Sequence, residues 1–358
     1  MSVYIIAEAG VNHNGSIDLA YKLIDLAVEA NADAIKFQTF VTDSLVTKTA
    51  KKAAYQIDPG DSDESQYSML KRLELTKPQF ADLQGYCRSK GIDFLSTAFD
   101  QESLDFLSQD LKLAKLKIAS GELTNAPFIL EHARTGCDLI LSTGMADIEE
   151  IKAALSVIAF GYITDHGKAE PNMSNFEKAY LSQEGQNLLT KKVTLLHCTT
   201  EYPTPLEEVN LLAMGSMRQL FGLKIGYSDH TQGIAVAVAA AALGATVIEK
   251  HFTLDRSMEG PDHSASLGPN DLKAMIVAIR DTEQALGSSQ KKVTASELRN
   301  RSIVRKSIVA TSAIEKGELY SSANIGMMRP GTGTSPYRYW EIIGTRANSP
   351  VEAGETIE

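Results

Sequence analysis

Residues 224–252 read KIGYSDHTQGIAVAVAAAALGATVIEKHF. An apolar run over residues 224–229 leads into an alanine-rich helical stretch over 233–243, then Gly244, then a second apolar run over 247–252. Strand, helix and strand in about thirty residues, with glycine where the helix stops, predict a parallel βαβ unit. Both strands end in polar clusters, Ser228-Asp229-His230 and Glu249-Lys250-His251. Parallel α/β folds keep their chemistry at such C-terminal strand ends.

The same unit repeats upstream. Strand candidates at 3–9, 34–39, 93–99, 114–120, 139–143 and 193–199 bring the total to eight, with helix candidates at 17–30, 77–90, 148–160 and 270–286. Asn31, Gly91, Gly136 and Gly287 fall near helix C-termini. Eight units in about 285 residues predict an α/β fold of the closed (β/α)8, or TIM, barrel type over residues 1–287 rather than a doubly wound sheet. The repeat breaks at 161–192, a segment rich in Asn, Gln, Glu and Ser. Because it joins a helix to the next strand, it is expected as a surface excursion at the end away from the active site; a lid built on its helical piece, 176–189, is the alternative. Residues 288–303 are polar and basic and read as a linker. Residues 304–358 read as a small β-rich module, with strand-like runs at 307–311 and 339–344 among Gly317, Gly326, Pro330, Gly331, Gly333 and Pro350. About 55 residues fold only marginally alone, so the module is expected to lean on the barrel or on another subunit.

The chain has 358 residues, with 35 Lys+Arg against 45 Asp+Glu and a net charge of −10. That surplus has the wrong sign for a nucleic-acid partner. The start MSVYIIAE has no basic n-region, and the longest apolar stretch, 234–243, falls short of the ~18 residues a membrane span needs, so a cytoplasmic protein is expected. Cys87, Cys137 and Cys198 are isolated and odd in number, which suits reduced core thiols.

Polar residues mark every strand end: Glu8; Lys36 and Gln38; Ser96 and Thr97; Lys117, Ser120 and Glu122; Ser142 and Thr143; Thr200 and Tyr202; Ser228, Asp229 and His230; Glu249 and His251. Lys36 and Lys117 lie inside apolar strands, where an unpaired ammonium is costly. They need an anion. A phosphate or carboxylate between them, with hydroxyls from Thr97, Ser120, Ser142 and Ser228, meets that need; ion pairs with Glu8 or Glu249 are the alternative. His230 and His251, on neighbouring strands, suit two ligands of one divalent ion, or two hydrogen-bonded core histidines. Asp262 and Glu8 are carboxylates able to hold sugar hydroxyls, or else to cap a loop and pair a lysine. Tyr202 either reaches the site or stiffens a proline turn. His132 and His166 read as surface residues, His197 as a strand residue, and His13 as part of the first loop.

With these residues assembled, the sequence resembles the sialic acid synthase family, the N-acetylneuraminate synthases and their legionaminate and pseudaminate relatives. The resemblance rests on AEAGVNHNG (7–15), KFQT (36–39), KIASGE (117–122), LSTGM (141–145), LHCTTEYPTP (196–205), GYSDHT (226–231), IEKHFT (248–253) and GPDH (260–263). The tail resembles that family's antifreeze-like SAF domain, including MRPGTG (328–333). The resemblance implies a transferase that condenses phosphoenolpyruvate with the open-chain aldehyde of N-acetylmannosamine, giving N-acetylneuraminate and phosphate, with a legionaminate or pseudaminate synthase acting on a 2,4-diacetamido-trideoxy hexose as the alternative. It further implies Lys36, Thr97, Lys117, Ser120, Ser142, Thr200 and Ser228 on phosphoenolpyruvate, and Glu8, Gln38, Tyr202 and Asp262 on the sugar. His230 and His251 would be ligands of a divalent metal, manganese or magnesium. Glu122 is a further carboxylate for proton transfer, and Arg329 would come from the tail of a domain-swapped homodimer. Residues 51–56, KKAAYQ, and 198–202, CTTEY, are similar to those of legionaminate synthases, whose 6-deoxy diacetamido sugar differs from N-acetylmannosamine around C4 and C6. The competing readings are a Schiff-base aldolase using Lys36 or Lys117 and an inert sugar-binding barrel.

Overall fold

A computed structural model describes residues 2–52, 64–165 and 167–357. His166 and residues 53–56 of the KKAAYQ motif lie outside them. Eight parallel strands form a closed barrel: β1 (Tyr4–Gly10), β2 (Ala34–Thr39), β3 (Asp93–Ala98), β4 (Lys115–Ile118), β5 (Asp138–Ser142), β6 (Val193–His197), β7 (Lys224–Asp229) and β8 (Val247–His251). Each pairs with its sequence neighbour, and β8 returns to β1 with Glu8 opposite His251.

The two-residue period of a strand sorts the side chains. Ile5, Ala7, Ile35, Phe37, Leu139 and Leu141 point outward and join the main core beneath the helices. Their neighbours Tyr4, Ile6, Ala34, Leu95, Ile140, Leu196 and Val247 form a separate apolar plug inside the barrel. Gly226 sits in that plug because space allows nothing larger: a Cβ there would lie 2.5 Å from the Val247 carbonyl oxygen and 2.6 Å from a Leu196 methyl. Above the plug the inward positions turn polar, and that layer is the floor of the site.

Local signals set the helices. Ile17–Glu29 is capped by Ser16, whose side chain accepts from the Leu19 amide. Lys77–Lys90 starts with a Thr76/Gln79 capping box and ends on Gly91 at φ 75°. Ile148–Ile163 starts with an Asp147/Glu150 box. Helices Gln101–Asp105, Ala126–Arg134, Ala213–Phe221, Ala235–Ala242 and Pro269–Leu286 follow the remaining strands.

His132, expected at the surface, is fully buried. It lies one turn after Phe128 on the inner face of its helix, with the two rings edge to face at 4.5 Å. Its Nδ1 bonds the Phe128 carbonyl at 2.9 Å and its Nε2 has no partner, so the neutral ring fits, and burial pushes its pKa down to about 4. The unfolded chain takes up a proton near pH 6.5 and the native ring does not, so this stability is complete above about pH 6.5 and is lost as pH falls toward 4. Urea unfolding at a series of pH values should show a slope over that window shared among the buried neutral histidines, and His132→Leu should reduce it by up to about 3 kcal/mol. An unchanged slope in the variant would assign it to other groups.

The 161–192 segment forms the end of Ile148–Ile163 and two further helices, Met173–Leu181 and Gln183–Lys192. Phe176 packs on Phe160 at 5.2 Å, so the segment thickens the outer wall. None of its described residues lines the polar cavity described below. A single 176–189 helix was expected; Ser182, which caps the second helix through the Gly185 amide, divides it in two.

The chain separates into two compact units, Met1–Gly287 and Ser288–Glu358. In the second, the stretch read as a linker carries helix Ala295–Val304. Strands β9 (Ser307–Ala310) and β10 (Ile325–Met328) pair antiparallel over a small core that includes Ile308, Ile314, Ile325, Ile342 and Ile357. The strand-like run at 339–344 is a short helix, Tyr339–Ile342, because a turn at Pro336–Arg338 feeds directly into it. Among the described residues no helix is long and apolar enough to cross a membrane.

Candidate active site

The polar inward layer opens into a cavity of about 400 Å³ at the C-terminal ends of the strands. Glu8, Lys36, Gln38, Thr97, Lys117, Ser120, Glu122, Ser142, Thr200, Tyr202, Ser228, His230, Glu249, His251 and Asp262 all line it. The same alternation turns other strand-end candidates away. Ser96 bonds Thr39 at 2.7 Å, Thr143 donates to the Leu196 carbonyl at 2.9 Å, and Asp229 is held by Lys250 at 2.7 Å.

At the floor, Lys36 Nζ lies 2.6 Å from Glu8 and 3.6 Å from Glu249, and donates to Thr97 Oγ1 at 3.1 Å. Lys117 Nζ donates to Ser142 Oγ at 2.6 Å and to the Ile118 carbonyl at 3.2 Å, with Glu249 3.7 Å away. The ion-pair alternative for the lysines is thus realised, most closely at Lys36. Glu249 was not among the assigned site residues, although its buried position in Ile-Glu-Lys-His carried the same signal as the lysines. Burial opposes its charge, but Lys117 and Lys36 outweigh that, with a 2.8 Å hydrogen bond from Ser228, and hold its carboxyl well below the usual range. Burial dominates at Glu8 and pushes its carboxyl up despite Lys36. At Lys117 burial likewise dominates and lowers the pKa, so a bound anion would stabilise its ammonium.

Ser120 Oγ accepts from the Gly144 amide at 3.1 Å and lies 3.3 Å from Cys198 Sγ. Thr200 Oγ1 beside it is buried without a partner. Gly144 keeps this niche open: a Cβ would come within 2.3 Å of Thr200 Oγ1 and 2.8 Å of Ser120 Oγ. Glu122, at the rim, accepts from Asn125 Nδ2 at 2.8 Å. All three cysteines are free.

Opposite, the rings of His230 and His251 have centroids 5.8 Å apart, with Tyr202 4.1 Å from the first and 5.8 Å from the second. His230 Nδ1 donates to the Thr199 carbonyl at 2.7 Å, which leaves the Nε2 lone pair bare; the proton of nearby Ser228 goes to Glu249. His251 Nδ1 is buried without a hydrogen bond, 3.8 Å from an Asp262 carboxylate oxygen. Burial pushes His230 down to about 4 and also lowers His251, so both are neutral, the form a metal ligand takes. Burial raises Asp262 to about 6. Two unprotonated imidazoles beside carboxylates fit a divalent cation. Among the described residues no three His, Cys, Asp or Glu side chains gather closely enough to hold an ion alone, so substrate or water would complete its shell. His263 instead bonds Thr253 at 2.7 Å and Asn14 at 3.1 Å.

Arg329 lies in the second unit, exposed, with Nε donating to the Val304 carbonyl at 2.9 Å.

Models of two families match the sequence, the NeuB family over residues 23–291 and the SAF domain over residues 305–358. The chain belongs to the NeuB family. As a member it is an enzyme of the synthase type that its relatives are named for. It is 46% identical to the N,N'-diacetyllegionaminic acid synthase of Campylobacter jejuni over 99% of this chain and 98% of the relative. It is 43% identical to the synthase of the same name from Legionella pneumophila, over 100% of this chain and 94% of that one. The crystal structure of an N-acetylneuraminic acid synthetase from Leptospira borgpetersenii superposes with a TM-score of 0.68 at 31% identity, covering 84% of this chain and 90% of that one. The likeness runs more strongly to the legionaminic acid synthases. That likeness favours the legionaminate alternative over the N-acetylneuraminate expectation.

Proposed function

We propose that this NeuB-family enzyme condenses phosphoenolpyruvate with 2,4-diacetamido-2,4,6-trideoxymannose to give N,N'-diacetyllegionaminate and phosphate. The observation that carries the acceptor is full-length likeness to two synthases of that name. The buried lysine pair supports the donor. In the reaction the enol C3 bonds to the aldehyde carbon, whose oxygen takes a proton. Water adds at C2 and gives up a proton, and the C2–O bond to phosphate then breaks to leave the 2-keto acid.

Lys36, Lys117 and the hydroxyls of Thr97, Ser120, Ser142, Thr200 and Ser228 would grip phosphoenolpyruvate, exchanging their present partners for phosphate and carboxylate oxygens. Glu8, held above the usual carboxyl range, would move the proton at the aldehyde oxygen, and Glu122 at the rim is the second candidate for proton transfer. Gln38, Tyr202 and Asp262 would orient the sugar. His230 and His251 would hold a manganese or magnesium ion, which when bound supplies Lewis-acid polarisation. Arg329 of the partner subunit would meet the acyl group in a domain-swapped homodimer, which would also give the small second unit a surface to bury.

The test is phosphate release from phosphoenolpyruvate with the trideoxy sugar and manganese, with and without chelator, and the mass of the product. Chelator-sensitive release with one nine-carbon diacetamido acid formed per phosphate is expected; no sugar-dependent release would overturn the reading.

A further inference from the structure

One side of the cavity above the polar floor is mostly apolar, with Gln66 its one polar lining residue among those described, and no step of the condensation uses it. Residues 40–46, after β2, and helix Gln66–Leu73 bring Phe40, Leu45, Val46, Leu70 and Leu73 to the cavity, and Phe99 joins them from the end of β3. Phe40 and Leu73 belong to a buried cluster separate from the barrel's main core, with Leu45, Leu70 and Phe99 half-buried against it. Leu45 and Leu70 thus serve the fold with part of their surface and face the cavity with the rest. The surface that half-buried Leu45, Val46 and Leu70 still show to the cavity leaves water only when a ligand covers it.

We propose that this wall selects the acceptor: it receives the C6 methyl and the C4 acetamido methyl of the trideoxy sugar and disfavours the C4 and C6 hydroxyls of N-acetylmannosamine. The inference rests on the acceptor reading above. The aldehyde carbon must meet the enol at the floor, beside Lys36 and Lys117, so the C4–C6 end of the sugar points toward the mouth. Along β2 the cavity residues run Lys36, Gln38 and then, past the strand end, Phe40, so the apolar layer lies on the mouth side. Methyl groups laid on that layer are buried at a gain, whereas hydroxyls pressed there lose hydrogen bonds to water with nothing in return.

The test compares kcat/KM for the two sugars in the unmutated enzyme, in Leu70→Gln and in the near-isosteric Val46→Thr, with KM for phosphoenolpyruvate measured in each. The expected result is a preference for the trideoxy sugar that Leu70→Gln lowers about tenfold or more. Val46→Thr moves it the same way, with KM for phosphoenolpyruvate unchanged. If Leu70→Gln fails to fold, Val46→Thr decides. An unmutated enzyme that prefers the trideoxy sugar, with variants that keep its ratio within twofold or lose both sugars and phosphoenolpyruvate in parallel, would overturn the wall as selector and leave the proposed function standing. An unmutated enzyme that prefers N-acetylmannosamine would overturn the acceptor reading and this inference with it.

Discussion

Lys117→Met should cut phosphate release from phosphoenolpyruvate about 100- to 1,000-fold, the usual loss when a preorganised donor to developing charge is removed. The ammonium is buried at the floor, and its hydrogen bonds go to one hydroxyl and one carbonyl, with Glu249 no closer than 3.7 Å. Burial already weighs against its charge, so the bound dianion is the partner that would stabilise it most. Methionine keeps the length and apolar stem of the side chain while removing the charge. The discriminating readout is KM for phosphoenolpyruvate, which rises if Lys117 holds the donor. A lysine that serves only to neutralise Glu249 would give a less stable protein with an unchanged KM. Borohydride with pyruvate should label neither Lys117 nor Lys36, because the reaction proposed here passes through no Schiff base.

His251→Ala should abolish chelator-sensitive turnover and weaken manganese affinity by at least about tenfold, since even losing a group that only supports a metal ligand costs that much. The prediction follows from an imidazole nitrogen that is buried without a hydrogen bond 3.8 Å from the Asp262 carboxylate. Manganese binding followed by electron paramagnetic resonance reads the site apart from turnover. Unaltered affinity in the variant would make His251 a core histidine.

The sequence was most informative where polarity conflicted with its surroundings. A lysine within Ala-Ile-Lys-Phe or Leu-Lys-Ile, or a serine ending an apolar strand, is costly there without a polar partner, and Lys36, Lys117, Ser142 and Ser228 all face the cavity. Polarity alone did not say which way a strand-end residue points. Ser228 and His230 turn inward while Asp229 between them pairs with Lys250 on the outer face, a distinction that follows from the period of the strand. His132 was misread because Glu131 and Arg134 beside it look like a solvated face, whereas its spacing from Phe128 puts it on the inner side of the helix. The apolar wall had no local signature. Leu45, Leu70 and Phe99 come from three separate segments, each of which looks like ordinary core until the barrel brings them together.

The measurement that tests the central claim most directly is a competition. Equimolar N-acetylmannosamine and 2,4-diacetamido-2,4,6-trideoxymannose share one reaction with limiting phosphoenolpyruvate and manganese, and the nine-carbon acids are counted by mass. The account predicts N,N'-diacetyllegionaminate in excess by about tenfold or more, the discrimination that a few apolar contacts supply. N-acetylneuraminate as the major product would contradict it.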